Sequence, residues 1–480
     1  MKAVYEALYI GGAWVPPSSS ATIEVVSPAS GEVIGQVPAA AAPDVDAAVA
    51  AARTALTDPA GWSRWEPARR AQVLERLAER VAARGGEFAA RVSAQNGVPI
   101  SATRRAEAVN MPVMLRYYAA MIRQTPVEDR RAGLFGGTTL VGRGPVGVVA
   151  AIVPWNFPQT LLSFKLAPAL AAGCPIVIKP SPETVLDAFL LAELLDGVGL
   201  PPGVVSIVPG GRELGGYLVA HPGVDKVSFT GSTAAGRRVA EVCGRLLRPV
   251  TLELGGKSAA ILLDDVVLAG SLPGLFAATL LANGVICWLG TRVLAPHTRY
   301  PEVVDAVTAM AASAVLGDPL DEKTMVGPMV TAGHRDRVEG YIAHGKASGA
   351  RLTTGGGRPA GRDRGWFVEP TVFADVDNRD RLAREEIFGP VLTITAYTDE
   401  PDAVAIANDC DYGLAGTVWT ADPQRGLALA RQVDSGTVGV NGYLPDPGAP
   451  FGGIKNSGLG REMGAEGLAN YQHLKSIYLR

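Results

Sequence analysis

Two residue types capable of acyl-transfer chemistry stand 34 positions apart: Glu253 in Glu253-Leu-Gly-Gly-Lys257 and Cys287 in Asn283-Gly-Val-Ile-Cys-Trp-Leu-Gly-Thr-Arg292. Each lies on a short glycine-containing segment, in a chain with only four cysteines. A thiol nucleophile that forms an acyl-enzyme needs a base to activate the water that releases it. Asn156, in Val153-Pro-Trp-Asn-Phe-Pro158, stands between an apolar strand and a helix. Taken singly, each has a plain alternative: a buried thiol, a salt-bridged carboxylate, a turn residue.

These groups need elements to hold them. From Pro145 onward, β-branched runs alternate with helical segments. Strands are expected at Gly147–Val153, Pro175–Lys179, Val204–Pro209 and Lys226–Thr230, with helices over 159–172, 183–198 and 212–220 between them. That alternation predicts an α/β fold with a doubly wound parallel sheet. Gly231-Ser-Thr-Ala-Ala-Gly236 joins the last of these strands to a helix. Glycine allows close backbone approach there, and a helix N-terminus offers free N–H groups to a pyrophosphate. The segment is not the GxGxxG fingerprint, and alone it reads equally well as an ordinary turn. Lys179 ends a strand at the edge where such sheets bind nucleotides.

Upstream, helices are expected over 44–56, 67–84 and 101–124, and a glycine-rich hairpin over 127–143. Beyond Glu253 a second alternating region runs to about residue 440. It holds strands Arg292–Ala295, Thr371–Val376 and Val391–Tyr397 and helices 301–315, 331–349 and 401–408. The end of the chain, 465–480, reads as a short helix and a strand.

A chain of 480 residues with 48% hydrophobic and 19% charged residues can bury more than one core. Its net charge of −3 and scattered Lys and Arg give no footprint for nucleic acid or a membrane surface. The widely spaced Cys174, Cys243, Cys287 and Cys410 suit neither a zinc site nor a disulfide framework, so no metal is expected. Reduced thiols and an N-terminus without a secretory layout give a cytoplasmic expectation. Residues 266–291 carry no charge, yet their Pro, Asn and four glycines favour a buried helix leading into an active-site loop over a membrane span.

In combination, the E-L-G-G-K segment, the cysteine segment, P-W-N-F-P, F-T-G-S-x-x-x-G at Phe229–Gly236, Ile178-Lys-Pro-Ser181 and Glu385-Glu-Ile-Phe-Gly-Pro390 resemble the aldehyde dehydrogenase superfamily, in order and along nearly the whole chain. The resemblance implies a dinucleotide-binding domain (1–126 and 144–253), a catalytic α/β domain (254–445), and a small β oligomerisation hairpin with a C-terminal strand (127–143 and 465–480). It implies Cys287 as nucleophile, Glu253 as base and Asn156 as oxyanion donor, with Lys165 in the catalytic set. Trp155, Lys179, Ser181, Gly231, Ser232, Gly236, Glu386 and Phe388 would contact the cofactor. Phe157, Leu161, Phe164, Ile286, Trp288, Leu444 and Phe451 would border the substrate channel. These are largely apolar, which points to an aromatic or medium aliphatic, uncharged aldehyde.

The implied cofactor is NAD. Pro182 stands where many NAD-preferring members have a glutamate, so NADP stays open unless Glu183 replaces it. Val285 replaces the usual glutamine two residues before the nucleophile. The implied assembly is a homodimer or homotetramer. Three rival functions stand beside this one. A CoA-acylating member is opposed by Glu253. A nucleotide-free cysteine esterase is opposed by the phosphate-binding segments and Glu386. For a non-catalytic relative, Val285 is the only pointer.

Overall fold

The structure is a computed structural model describing residues 2–480. Five strands, Val149–Ile152, Ile176–Lys179, Val205–Ile207, Lys226–Thr230 and Val250–Glu253, run parallel at the centre of an eight-stranded sheet. Side chains alternate between its faces. Val149 and Ala151 enter one core cluster with Ile176 and Ile178, while Ala150, Ile152 and Val177 enter another. Both faces are covered, which is why these strands are dominated by buried apolar and β-branched residues, Val149–Ile152 without interruption.

Strand order reverses between Val149–Ile152 and Lys226–Thr230: the chain builds outward on one side through 176 and 205, then returns to build through 226 and 250. At such a switch point the connections leave in opposite directions and open a crevice at the carboxyl ends. Pro154-Trp155 leaves one strand there and Gly231-Ser232 leaves its neighbour.

A seven-stranded sheet follows, with Ala259–Leu262 between Arg292–Pro296 and Gly416–Trp419. Strands Glu128–Ala132 and Thr138–Pro145 form the expected hairpin, and Gln472–Leu479 pairs antiparallel with the latter. Among the described residues no helix is long and apolar enough to cross a membrane.

Several elements depart from expectation. The single helix expected over 101–124 is two, Ile100–Ala106 and Asn110–Gln124, so that Glu107 in the break can turn inward. A helix at Gly85–Asn96 had no counterpart in the sequence reading. A two-residue strand, Gly458–Leu459, closes the edge of the first sheet beside Glu253. A Cβ on Gly458 would lie 2.0 Å from the Leu252 carbonyl oxygen, and its φ of +148° also favours glycine.

Candidate active site and cofactor groove

Glu253 is the last residue of its strand, and the chain must then thread between two other parts of the site. A Cβ on Gly255 would lie 2.5 Å from Glu386 Oε2, and one on Gly256 would lie 2.3 Å from the Cys287 carbonyl oxygen. The Gly256 N–H donates to Glu386 Oε1 at 2.9 Å. A side chain at Gly255 would displace the Glu386 carboxylate, while Gly256 is required by close approach to backbone. The same holds for Gly284, whose Cβ would meet the Gly389 carbonyl oxygen at 2.2 Å. Three segments distant in sequence are thus locked backbone to backbone.

Asn156 is held by elements outside its own segment. The Asn96 amide donates to the carbonyls of Trp155 and Asn156 at 3.1 and 2.8 Å. Glu107 accepts the N–H groups of Gln159 and Thr160 at 2.8 and 3.1 Å, satisfying the first turn of helix Pro158–Ala172. Asn156 Nδ2 donates to the Val285 carbonyl at 2.8 Å, and its Oδ1 is buried without a partner. The side chain of Val285 is buried in the core, and the contact to Asn156 uses its backbone, which any residue supplies.

Cys287 and Asn156 line one cavity of about 240 Å³ with Trp155, Leu161, Glu386 and Phe388. Burial, then the nearby carboxylates of Glu386 and Glu253, push the Cys287 thiol well up, so it is protonated at neutral pH. Cys174, Cys243 and Cys410 are buried free thiols. Glu253 lies behind the cavity wall that Leu254 and Gly255 form. It is 4% exposed, and both carboxylate oxygens lack hydrogen-bond partners. Burial and the charge of Glu462 raise its pKa, while Lys165 and Arg461 oppose the rise. Lys165 is fully buried and bonds Glu462 Oε1 at 2.5 Å and Thr230 Oγ1 at 2.6 Å.

Burial raises Glu386 to about 7, and the Gly256 N–H offsets part of the rise. Trp155 meets Phe388 edge-on, with ring centroids 5.5 Å apart. Phe388 has φ +61°, a costly conformation for an aromatic residue, and His334 fixes it by contacting its carbonyl oxygen at 2.6 Å through Nε2. Burial lowers the His334 pKa, so the ring is neutral and Nε2–H donates in that contact.

The cavity opens into a groove of about 690 Å³; Pro154, Trp155, Thr230, Gly231 and Ser232 border both. Lys179 and Ser181 line the groove, and Ser232 caps helix Thr233–Arg245 by accepting from the Ala235 N–H. Gly236, in that helix, packs under Leu254 rather than facing the groove. The residues suit a dinucleotide. A helix N-terminus faces the groove for a pyrophosphate, and Phe229, Val219, Val239 and Val242 offer apolar surface for a heteroaromatic ring.

Of the apolar residues expected along the channel, Phe157, Leu161, Phe164 and Phe451 are buried in one core cluster, against which Ile286 and Trp288 pack. Trp288 stacks on Tyr443 with centroids 4.5 Å apart. Leu444 departs from expectation: it is 92% exposed, in a proline-rich loop outside the cavity wall. His334 and Arg337 line the cavity and were not foreseen. They stand three apart on one helix, a spacing that was visible but tied to no motif. Arg337 donates to the Glu386 carbonyl at 2.6 Å. Glu462 was also missed; its glycine-flanked place after Gly460 was the only signal.

A half-buried thiol and a buried amide line a cavity that joins a switch-point groove suited to a dinucleotide, the layout of a nucleotide-dependent enzyme. The chain belongs to the aldehyde dehydrogenase family, whose profile matches residues 14–477. It is 53% identical over 475 residues to the geranial dehydrogenase of Castellaniella defragrans, covering 99% of each chain. Among solved structures it is 48% identical to a Mycobacterium tuberculosis aldehyde dehydrogenase complexed with NAD+, at a TM-score of 0.98, covering 100% of this chain and 99% of that one. A mutant of aldehyde dehydrogenase C from Pseudomonas syringae, complexed with NAD+ and octanal, is 41% identical, with a TM-score of 0.94 and coverage of 98% and 96%.

Proposed function

We propose that this enzyme oxidises an uncharged, elongated apolar aldehyde to its carboxylic acid with NAD+. The observation that carries the reading is Cys287 and Asn156 on one cavity that opens into the groove, with the unpaired carboxylate of Glu253 near enough to act on the Cys287 thiol. A relative named for geranial and another whose mutant is complexed with octanal support the substrate class, as does the aromatic and aliphatic packing around Cys287.

Lys179, Ser181 and the helix N-terminus at Ser232 would hold the dinucleotide, whose cationic nicotinamide ring would supply a field that favours the thiolate and an acceptor for hydride. Cys287 gives up its thiol proton to solvent, its Sγ attacks the aldehyde carbon, and the Asn156 amide meets the developing oxyanion, whose collapse releases hydride from that carbon to the nicotinamide. Oxidation leaves a thioester on Cys287. Glu253, its oxygens free of other bonds, takes a proton from water as that water attacks the thioester. Lys165 tempers the repulsion between Glu462 and Glu253. The aromatic pair Trp155 and Phe388 keeps bulk water from the reacting centre.

Purified enzyme given octanal or geranial with NAD+ should produce reduced nicotinamide, and Cys287→Ala should abolish it. Turnover that required CoA, or ester cleavage without any dehydrogenation, would refute the reading.

Assembly is part of the proposal. Strand Gln472–Leu479 is paired on one edge, and its Leu474 and Tyr478 are 66% and 76% exposed. A second copy covering that edge would satisfy both. Light scattering that returned a monomer mass would refute it.

A further inference from the structure

Beside the seam at Gly256, two buried cations stand without a counter-ion in contact. Lys257 and Arg292 are each 2% exposed. Arg292 donates to the carbonyls of Lys257, Ile406 and Ala407 and to Asn378 Oδ1, at 2.7 to 3.1 Å, and all four acceptors are neutral. Among the described residues, Lys257 Nζ has no hydrogen-bond partner. Ser258, the next residue, buries its hydroxyl oxygen without a partner as well. Buried charges are ordinarily paired, because an unpaired ion taken out of water costs more than a fold readily offsets.

Lys257, Ser258 and Arg292 line one cavity of about 10 Å³, room for a single particle about the size of a water molecule. Asp434 is the one carboxylate on its wall. That carboxylate is exposed and reaches Lys455 Nζ at 3.9 Å, so it marks the solvent side of the cavity rather than pairing with Lys257. An ammonium and a hydroxyl supply donors, and the ammonium adds a positive charge that a neutral molecule cannot balance. Phosphate, nitrate and carboxylates are too large for the space. We propose that this cavity binds one halide ion, chloride, through Lys257 Nζ and Ser258 Oγ, with Arg292 adding to the attractive field.

The site should depend on pH. Burial, then Arg292, drives the Lys257 ammonium down to about 7, while Cys410, Glu386 and Glu385 pull it back up. Chloride binds the charged amine, so its hold is strongest below pH 7 and is lost as pH rises through 7. Glu386, itself raised to about 7, turns negative over the same interval and weakens the hold further. Tyr412 also lines the cavity, and burial pushes its phenol up, so it stays neutral throughout.

Crystals soaked in sodium bromide should show an anomalous peak within hydrogen-bond reach of Lys257 Nζ. In solution, gluconate, too bulky to enter, is replaced stepwise by chloride at constant ionic strength while unfolding is followed by calorimetry. The melting temperature should rise by about 1–2 °C for each tenfold increase in chloride above half-saturation. The rise should be present at pH 6 and gone by pH 8.5. Ser258→Ala should raise the half-saturating chloride by about tenfold. Asp434→Asn, which removes the negative charge at the solvent side, should lower it, and Lys257→Met should abolish the effect. Should Lys257→Met fail to fold, the other two variants carry the test. A cavity that holds water alone in bromide-soaked crystals overturns the proposal. So does a melting temperature that does not distinguish chloride from gluconate at pH 6, even with a bromide peak in the crystal.

Discussion

Replacing Glu253 with glutamine should separate the two halves of the reaction. Glutamine has the shape of glutamate, and neither carboxylate oxygen has a partner to lose, so the fold should tolerate the change. The variant cannot take a proton from water, and a positioned general base contributes roughly 10²–10⁴-fold. Steady-state turnover should fall by about that factor. Acylation should survive, because Glu253 is among the groups that hold the Cys287 thiol up, and a neutral amide relieves that repulsion. Stopped-flow mixing with octanal and NAD+ should show a rapid burst of reduced nicotinamide close to one per active site, then a slow phase. Mass spectrometry should find the acyl group on Cys287.

Stability gives an independent check on the same substitution. Burial and Glu462 raise the folded pKa of Glu253, so the native state holds its proton more tightly than the unfolded chain does. Below the unfolded pKa both states are protonated and the group costs nothing; above it, the cost appears. Glu253→Gln should therefore melt higher than the parent at pH 8, and the difference should fade toward pH 4. Loss of the burst, or steady-state turnover within a few-fold of the parent, would refute Glu253 as the base that acts on the thioester.

Asn156→Ala should lower the acylation rate by about 10²–10³. A fall of less than tenfold in the burst rate would show that the amide does not face the oxyanion. For fully buried Glu107, raised to about 7 from 4.5 chiefly by burial, the sign is the same as for Glu253. Its contribution is complete below pH 4.5 and is lost as pH rises through 7, amounting to about 3 kcal/mol. Urea melts at pH 5 and 7.5 should show the parent losing more stability over this interval than Glu107→Gln. Equal slopes would refute the assignment.

The parallel sheet was legible because doubly covered strands are rich in β-branched and apolar residues and alternate with helices, and Lys226–Thr230 and Val391–Tyr397 were bounded to the residue. The helix break at Glu107 was not, because a buried carboxylate satisfied by the N–H groups of Gln159 and Thr160 leaves no local signature. Cys287 and Asn156 could be placed on one cavity from their motifs. The depth of Glu253 behind Leu254 and Gly255 could not, since it follows from how two sheets abut. His334 and Arg337 escaped for a related reason: their helix reaches the cavity only through tertiary packing. The exposure of Leu444 is set by a loop whose course the sequence does not determine.

The crossing of Gly256 over the Cys287 backbone leaves no room for even a methyl group. Variation in this enzyme is therefore channelled away from the seam. Leu161, on the wall of the cavity that Cys287 lines, touches none of these backbone crossings, so bulk there can be exchanged without moving the seam.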